Sequence, residues 1–322
     1  MTLSPHARSA SAAAGPIAVI VNPQSAHRRT ARSWRALRPH LETTLGPIQV
    51  VETRVPQHAT ELTRAAIRQG CKTVIAVGGD GTVNEVVNGF FEGERPLSRD
   101  TVLGIIPQGT GCDLRRTLSI PGDAEAALET IRRGTVKHID VVRVRFQTLE
   151  GHRGQRYGVN VTSFVMGGAV AARANRSLKV LGGKLSFQLA TALTTLSFRG
   201  NRVRLCLEGQ APREMKISNI AVGNGQYHGG GMWVCPRAVV DDGLLDITVI
   251  QYLSPMEVLR SFSVLYNGKL YEHPKVEFHR ASQLEASSRE ESLIEIDGEP
   301  VGRLPVEMSV LPQALGVYVP AG

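Results

Sequence analysis

From Ile17 to Gly134, short apolar runs alternate with helix-forming stretches, and after His138 that alternation stops. Ile17–Val21, Ile48–Thr53, Thr73–Val77 and Leu103–Ile106 read as strands. Between and after them, Thr30–Leu45, Thr60–Arg68, the stretch up to Asn88, and Asp123–Arg133 read as helices. Gly46 with Pro47, Gly70 and Gly134 stop three of them, as C-cap glycines do. Strands alternating with helices predict a parallel α/β layer. Beyond His138 the strand candidates are Val141–Phe146, Gln155–Asn160, Asn201–Glu208, Lys216–Val222, Leu244–Ile250, Lys275–Ala281 and Leu293–Ile296, with helices only at Gly183–Thr195 and Ser254–Tyr266. That texture predicts an antiparallel sandwich or barrel. The chain is therefore expected to be an α/β domain with a parallel sheet, followed by a β-rich sandwich domain. The expected boundaries are a disordered leader over 1–15, the α/β domain over 16–138 and the sandwich over 139–305.

One junction carries chemistry. The strand Thr73–Val77 runs into Gly78-Gly79-Asp80-Gly81-Thr82, and a helix with Val83, Val86 and Val87 on one face follows directly, with Asn84 and Glu85 in its first turn. Glycines at three of four positions allow φ > 0 and a close approach of backbone to ligand. The helix start offers amide groups and the positive end of a dipole, which suit phosphate. Asp80 would repel a bare phosphate, so its carboxylate points to a bridging Mg²⁺ or to proton handling. The turn thus predicts a nucleotide triphosphate site and phosphoryl transfer. Gly109-Thr110-Gly111, after the next strand, repeats the design, and two such loops side by side could hold a triphosphate from two directions. In open α/β sheets such turns, at the C-terminal ends of strands, are where ligands bind.

Composition bounds the partners. A length of 322 residues is enough for two domains. A net charge of +8 favours anionic partners such as nucleotides, nucleic acid or anionic lipid. Aromatic residues at 5% weaken the nucleic-acid option, which needs stacking platforms. Cys71, Cys112, Cys206 and Cys235 form no C-x-x-C pair and read as free thiols in a reducing cytosol. No apolar run approaches the ~20 residues of a membrane span, so a membrane contact would be peripheral to a cytoplasmic protein.

Several blocks, in order, carry a resemblance to a family: Asn22-Pro23-x-Ser25; Gly78 through Gly89; Leu103-Gly104-Ile105-Ile106-Pro107-x-Gly109-Thr110-Gly111-x-Asp113; Ile139-Asp140; Pro236 through Gly243; His273-Pro274-Lys275-Val276; and Asp297-Gly298-Glu299. Together they resemble the soluble lipid kinases that include bacterial diacylglycerol kinases and sphingosine kinases. The resemblance implies a nucleotide-binding domain, a β-rich domain, a C-terminal segment of about 306–320 returning to the first domain, and an active site in the cleft between them. NAD kinases share the fold and the Gly-Gly-Asp-Gly-Thr turn, but their downstream Thr-Gly-Ser-Thr-Ala-Tyr type segment is not found here.

The resemblance also implies roles. ATP would contact Asn22, Pro23, Gln24, Ser25, Ala26, Thr53, Gly78, Gly79, Asp80, Gly81, Thr82, Val83, Asn84, Gly109, Thr110 and Gly111. Asp113 would lie near the transferred phosphate, preceded by Cys112 where the family usually has Asn. Glu299 would be the general base, with Asp297 sharing that duty or binding the metal network. Val239, Asp242 and Leu244 would bind a structural Mg²⁺ through one carboxylate and backbone carbonyls. Taken alone, each feature has a plainer reading: an Asn-Pro turn at 22–23, a helix N-cap at Asp113, and Asp-Gly hairpins at 242–243 and 297–298. Arg28, Arg29, Arg32, Arg35 and Arg38 make a helix face that is either solvated or attracted to anionic headgroups. Leu185–Leu196, bordered by Lys179, Lys184 and Arg199, either lines a lipid cleft or is core. His273 reads as structural. The expectation is an ATP- and Mg²⁺-dependent kinase acting on a lipid hydroxyl at a membrane surface, diacylglycerol first, with a homodimer open. The alternatives are another lipid or soluble alcohol as acceptor, or a non-catalytic nucleotide-binding regulator.

Overall fold

The computed structural model describes residues 15–25, 29–109, 111–177, 194 and 198–321. Residues 1–14, Ala26, Arg28, Thr110, Lys179, Lys184 and all of the 183–195 helix except Thr194 lie outside the described residues. The chain divides into two compact units, Met1–Ile139 with Gln313–Gly322, and Asp140–Pro312.

In the first unit β1 (Ile17–Val21) pairs in parallel with both β2 (Ile48–Glu52) and β3 (Thr73–Gly78). After a two-residue ladder between β4 (Phe91–Glu92) and β5 (Arg95–Pro96), β6 (Val102–Pro107) lies parallel to β3. Gly316 and Val317, near the end of the chain, pair in parallel with Val102 and Leu103 and add a fifth strand. Every residue of β1 and β3 is buried, the pattern of parallel strands covered on both faces. Trp34, Leu37 and Leu41 of α1 (Arg29–Leu45) join Leu128 and Ile131 of α5 (Ala124–Arg133) over Val19, Val21, Ile75 and Ile106. Helices α2 (His58–Arg68) and α3 (Asp80–Gly89) pack on each other. Glu85 of α3 caps α2, accepting hydrogen bonds from the amides of Gln57 and Ala59 at 2.9 and 3.2 Å.

The second unit is antiparallel. It contains β7 (Thr135–Gln147, from residue 140 on), β8 (Arg153–Gly158), β9 (Val161–Val165), β10 (Asn201–Leu207), β11 (Arg213–Gly223), the β12–β13 hairpin (Tyr227–His228 and Met232–Trp233), β14 (Leu245–Gln251), β15 (Val276–Ala281), β16 (Gln283–Ser288), β17 (Leu293–Ile296) and β18 (Glu299–Val319, up to residue 312). Two long strands change partners along their length. Arg213–Ile217 of β11 pairs with β10, and Asn219–Gly223 pairs with β9 and β14. Glu299–Arg303 of β18 pairs with β17, and Val306–Ser309 pairs with β16. The ladder therefore runs β18–β16–β10–β11–β9–β17 and back to β18, so these strands form a closed circuit with no free edge among them. Its interior is apolar, with Phe164, Val203, Ile217, Ile220, Ile247, Val249, Ile294, Ile296 and Val306 buried.

The sequence does not announce β9, β16 or the length of β18. Val161–Val165 is interrupted by Thr162 and Ser163, and Gln283–Ser288 holds only two apolar side chains, Leu284 and Ala286. The helix expected over Ser254–Tyr266 is an α-helix only at α7 (Pro255–Ser261), opened by a Ser254–Glu257 capping box, and a 3₁₀ turn continues it over Phe262–Leu265. One further helix, α6 (Met166–Ser177), follows β9 without a sequence signal of its own.

Candidate active site

In the first unit, Asn22–Ser25, Gly78–Thr82 and Gln108–Gly109 come together at the C-terminal ends of β1, β3 and β6. The Asn22 amide donates to the Val77 carbonyl, and its Nδ2 donates to Thr82 Oγ1 at 3.0 Å. The Gln108 amide donates to the Gly78 carbonyl at 2.8 Å. Ser25 Oγ donates to the Gln108 carbonyl at 3.0 Å, and Thr30 Oγ1 donates to the same oxygen at 2.9 Å. Thr53 is buried just past β2, its amide bonded to the Val21 carbonyl. Val83 and Asn84 are buried within α3, with Asn84 accepting from Asn88 Nδ2.

The glycines act here through space, not through left-handed backbone. Gly79 is extended, with φ −94° and ψ −172°, and neither Gly78 nor Gly109 has a positive φ. A Cβ on Gly109 would stand 2.4 Å from the Gly79 Cα, and one on Gly78 would stand 2.5 Å from Thr82 Oγ1. The two turns therefore touch backbone to backbone. Gly79, the N-cap of α3, has no side chain with which to cap the helix. The result is a cradle lined by main chain beside a helix start, suited to an anion. Gly109→Ala is expected to force these turns apart, lowering stability by about 1–3 kcal/mol as overpacking does. Thermal melts check this.

Asp80 and Asp113 are also joined. Asp80 Oδ1 accepts the Asp113 amide at 2.7 Å and the Leu114 amide at 3.4 Å. The short helix α4 (Asp113–Thr117) is thus capped from the first residue of α3, and Asp113 is its first residue instead of its cap. Asp113 is buried, its Oδ1 3.4 Å from Arg116 Nε. Cys112 precedes it in left-handed conformation (φ 49°), and burial pushes its thiol up to about 12, so it is a packing group and not a nucleophile. The carboxylates of Asp80 and Asp113 beside the cradle are oxygen donors of the kind that a hard cation would take.

In the second unit, Asp297-Gly298 is a two-residue hairpin between β17 and β18, with φ of 50° and 90°, the positive pair that such turns demand. Asp297 is buried. Its Oδ2 and Oδ1 accept the amides of Val159 and Asn160, both at 3.0 Å. Its carboxylate therefore anchors backbone. Glu299, the first residue of β18, is exposed. Beneath the turn lies Glu295, fully buried between Ile294 and Ile296, which the sequence reading missed. Its Oε1 accepts Ser163 Oγ at 2.6 Å and lies 3.3 Å from His228 Nε2, and its Oε2 accepts the Gly298 amide at 2.6 Å. Burial raises its pKa, and the neighbouring His228 and the Ser163 bond work against that rise.

At the expected structural metal site, Asp242 already has partners. Its Oδ1 accepts the Leu244 amide at 3.1 Å and its Oδ2 pairs with Arg280. Arg280 also reaches Asp246, its cross-strand partner, at 3.3 Å. Burial pushes Asp246 up to about 6 even so. A guanidinium thus balances this loop, Val239 is exposed, and the described residues contain no cluster of three or more His, Cys, Asp or Glu that could hold a metal ion. His273 is structural, its ring bonded to Ser261 Oγ and the Lys275 amide.

The comparisons with known proteins bear on the whole chain. Residues 16–144 match the diacylglycerol kinase catalytic domain, and residues 161–319 match the YegS C-terminal NAD kinase beta sandwich-like domain. A Pseudomonas aeruginosa protein named "Probable lipid kinase YegS-like" is 31% identical over 82% of this chain and 82% of its own. A diacylglycerol kinase of Mycobacterium tuberculosis is 27% identical over 95% of this chain and 96% of its own. A Bacillus anthracis diacylglycerol kinase structure superposes with a TM-score of 0.70 at 22% identity, covering 95% of this chain and 97% of that one. A yeast NADH kinase structure superposes with a TM-score of 0.55 at 13% identity, covering 96% and 84%. With glycine turns in contact at the strand ends and both domain families matched in order, this chain belongs to the diacylglycerol kinase family of lipid kinases.

Proposed function

We propose that this protein transfers the γ-phosphoryl group of ATP to the hydroxyl of a lipid, diacylglycerol first among the candidates. The observation that carries this is the main-chain contact between the Gly79 and Gly109 turns beside the start of α3, whose N-cap is a glycine. Backbone amides there would bind phosphate without a side chain's conformational cost. Mg²⁺, when bound beside Asp80 and Asp113, would neutralise charge on the phosphates. Glu299 is assigned as the base that takes the acceptor's proton, because it is the exposed carboxylate on the Asp-Gly turn. Asp297, with both oxygens on backbone amides, is assigned to holding that turn. Phosphate binding thus belongs to the first unit and proton removal to the second. Positioning and electrostatics supply most of the acceleration in such transfers.

A lipid acceptor implies contact with a bilayer. No helix among the described residues is long and apolar enough to cross one. The net charge of +8 favours an anionic lipid surface approached from the cytoplasmic side, where the four free cysteines stay reduced. The decisive experiment incubates the protein with labelled ATP, Mg²⁺ and a total lipid extract, then identifies the product by mass. Labelled phosphatidic acid is expected. A different labelled lipid reassigns the acceptor, and no transfer to any lipid class overturns the proposal.

A further inference from the structure

The conformation of the Asp297-Gly298 turn is held from below by groups that packing does not require. Glu295 has no solvent exposure and is flanked by Ile294 and Ile296, which have none either. Those two isoleucines point to the other, apolar face of the strand, so Glu295 stands on the face that carries Ser163 and His228. A buried carboxylate is costly unless fully hydrogen-bonded, and this one is satisfied on both oxygens. Ser163, its direct partner across the β9–β17 ladder, donates to one oxygen, with His228 of the β12–β13 hairpin beside it. The other oxygen takes the Gly298 amide at 2.6 Å. In a two-residue hairpin that amide, belonging to the second loop residue, has no place in the ladder. Asp297 ties the turn's other side to Val159 and Asn160. Glu299, one peptide beyond Gly298, is exposed.

We infer that Glu295 is a positioning residue for Glu299: by fixing the Gly298 peptide, with Ser163 and His228 fixing Glu295 in turn, it sets where the base carboxylate stands. This rests on Glu299 being the base. A glycine at φ 90° samples many conformations once untethered, and small misplacements of reacting groups cost on the order of 100-fold in rate.

The test compares Glu295→Met, Glu295→Gln and Ser163→Ala, each alone and combined with Glu299→Gln, by melting temperature, kcat and KM for ATP. Gln can still accept from Gly298 and donate to Ser163, whereas Met has the volume without the bonds. Glu295→Met should lower kcat on the order of 10–100-fold with KM for ATP within about twofold. Glu295→Gln should recover most of the loss, and Ser163→Ala should show a smaller loss in the same direction. In the Glu299→Gln background all three should add little, the mark of residues acting through one group. A kcat loss that persists undiminished in that background, or that tracks ATP KM, overturns the positioning role while leaving the base assignment intact. Normal turnover by Glu299→Gln alone removes the base assignment instead. If Glu295→Met does not fold, the Ser163→Ala and Glu295→Gln pairs read the same coupling, and additivity there is equally fatal.

Discussion

Glu299→Gln is expected to bind ATP as the parent does and to turn over on the order of 10²–10⁴-fold more slowly, the usual contribution of a general base. The substitution is nearly isosteric, and the exposed side chain projects from the first residue of β18, so the turn beneath it keeps its anchors at Val159, Asn160 and Glu295. Stability should therefore be unchanged. Nucleotide titration, a thermal melt and a labelled-ATP assay with lipid separate the three quantities. Near-parent turnover would falsify the assignment of the base.

Asp80 should show the second large effect, and two substitutions divide its roles. Its Oδ1 caps α4 through the amides of Asp113 and Leu114, and its charge lies beside the glycine cradle. Asp80→Ala removes both. It should lower stability by about 0.5–2 kcal/mol, as loss of a cap does, and abolish Mg²⁺-dependent ATP affinity and turnover together. Asp80→Asn keeps an acceptor for the Asp113 amide and discards the charge. It should melt near the parent temperature yet lose the Mg²⁺ dependence of ATP binding. The measurement is nucleotide affinity with and without Mg²⁺, alongside melts. Equal Mg²⁺ dependence in parent and Asp80→Asn would remove Asp80 from the metal's surroundings.

What was legible in the chain follows from which forces are local. The strands of the first unit could be read because parallel strands covered on both faces are continuous apolar runs, as in Ile17–Val21 and Thr73–Gly78. Their glycine-marked junctions placed Asn22, Gly78–Thr82 and Gly109 correctly at the strand ends, although the reason for glycine turned out to be a backbone contact between Gly79 and Gly109 and not positive φ. Long-range pairing was not legible. Nothing near Asp113 says that its helix is capped by Asp80, thirty-three positions earlier. Likewise, Glu295 reads as an ordinary strand residue until Ser163 and His228 are brought against it. Nor does anything near Asp242 say that Arg280 of β15 pairs with it.

The final strand has a consequence for how such a protein could be divided. Its early residues close the ring of the second unit, and Gly316 and Val317 complete the parallel sheet of the first. The first unit is therefore not a contiguous stretch of gene, whereas the second is, inserted between residues 139 and 313 of the first. A fragment ending near residue 139 would leave Val102 and Leu103 as a bare sheet edge prone to aggregation. Exchanging one half with a relative by recombination would take two crossovers, the second between the codons for 312 and 313, and shuffling by a single exchange should yield insoluble chimeras.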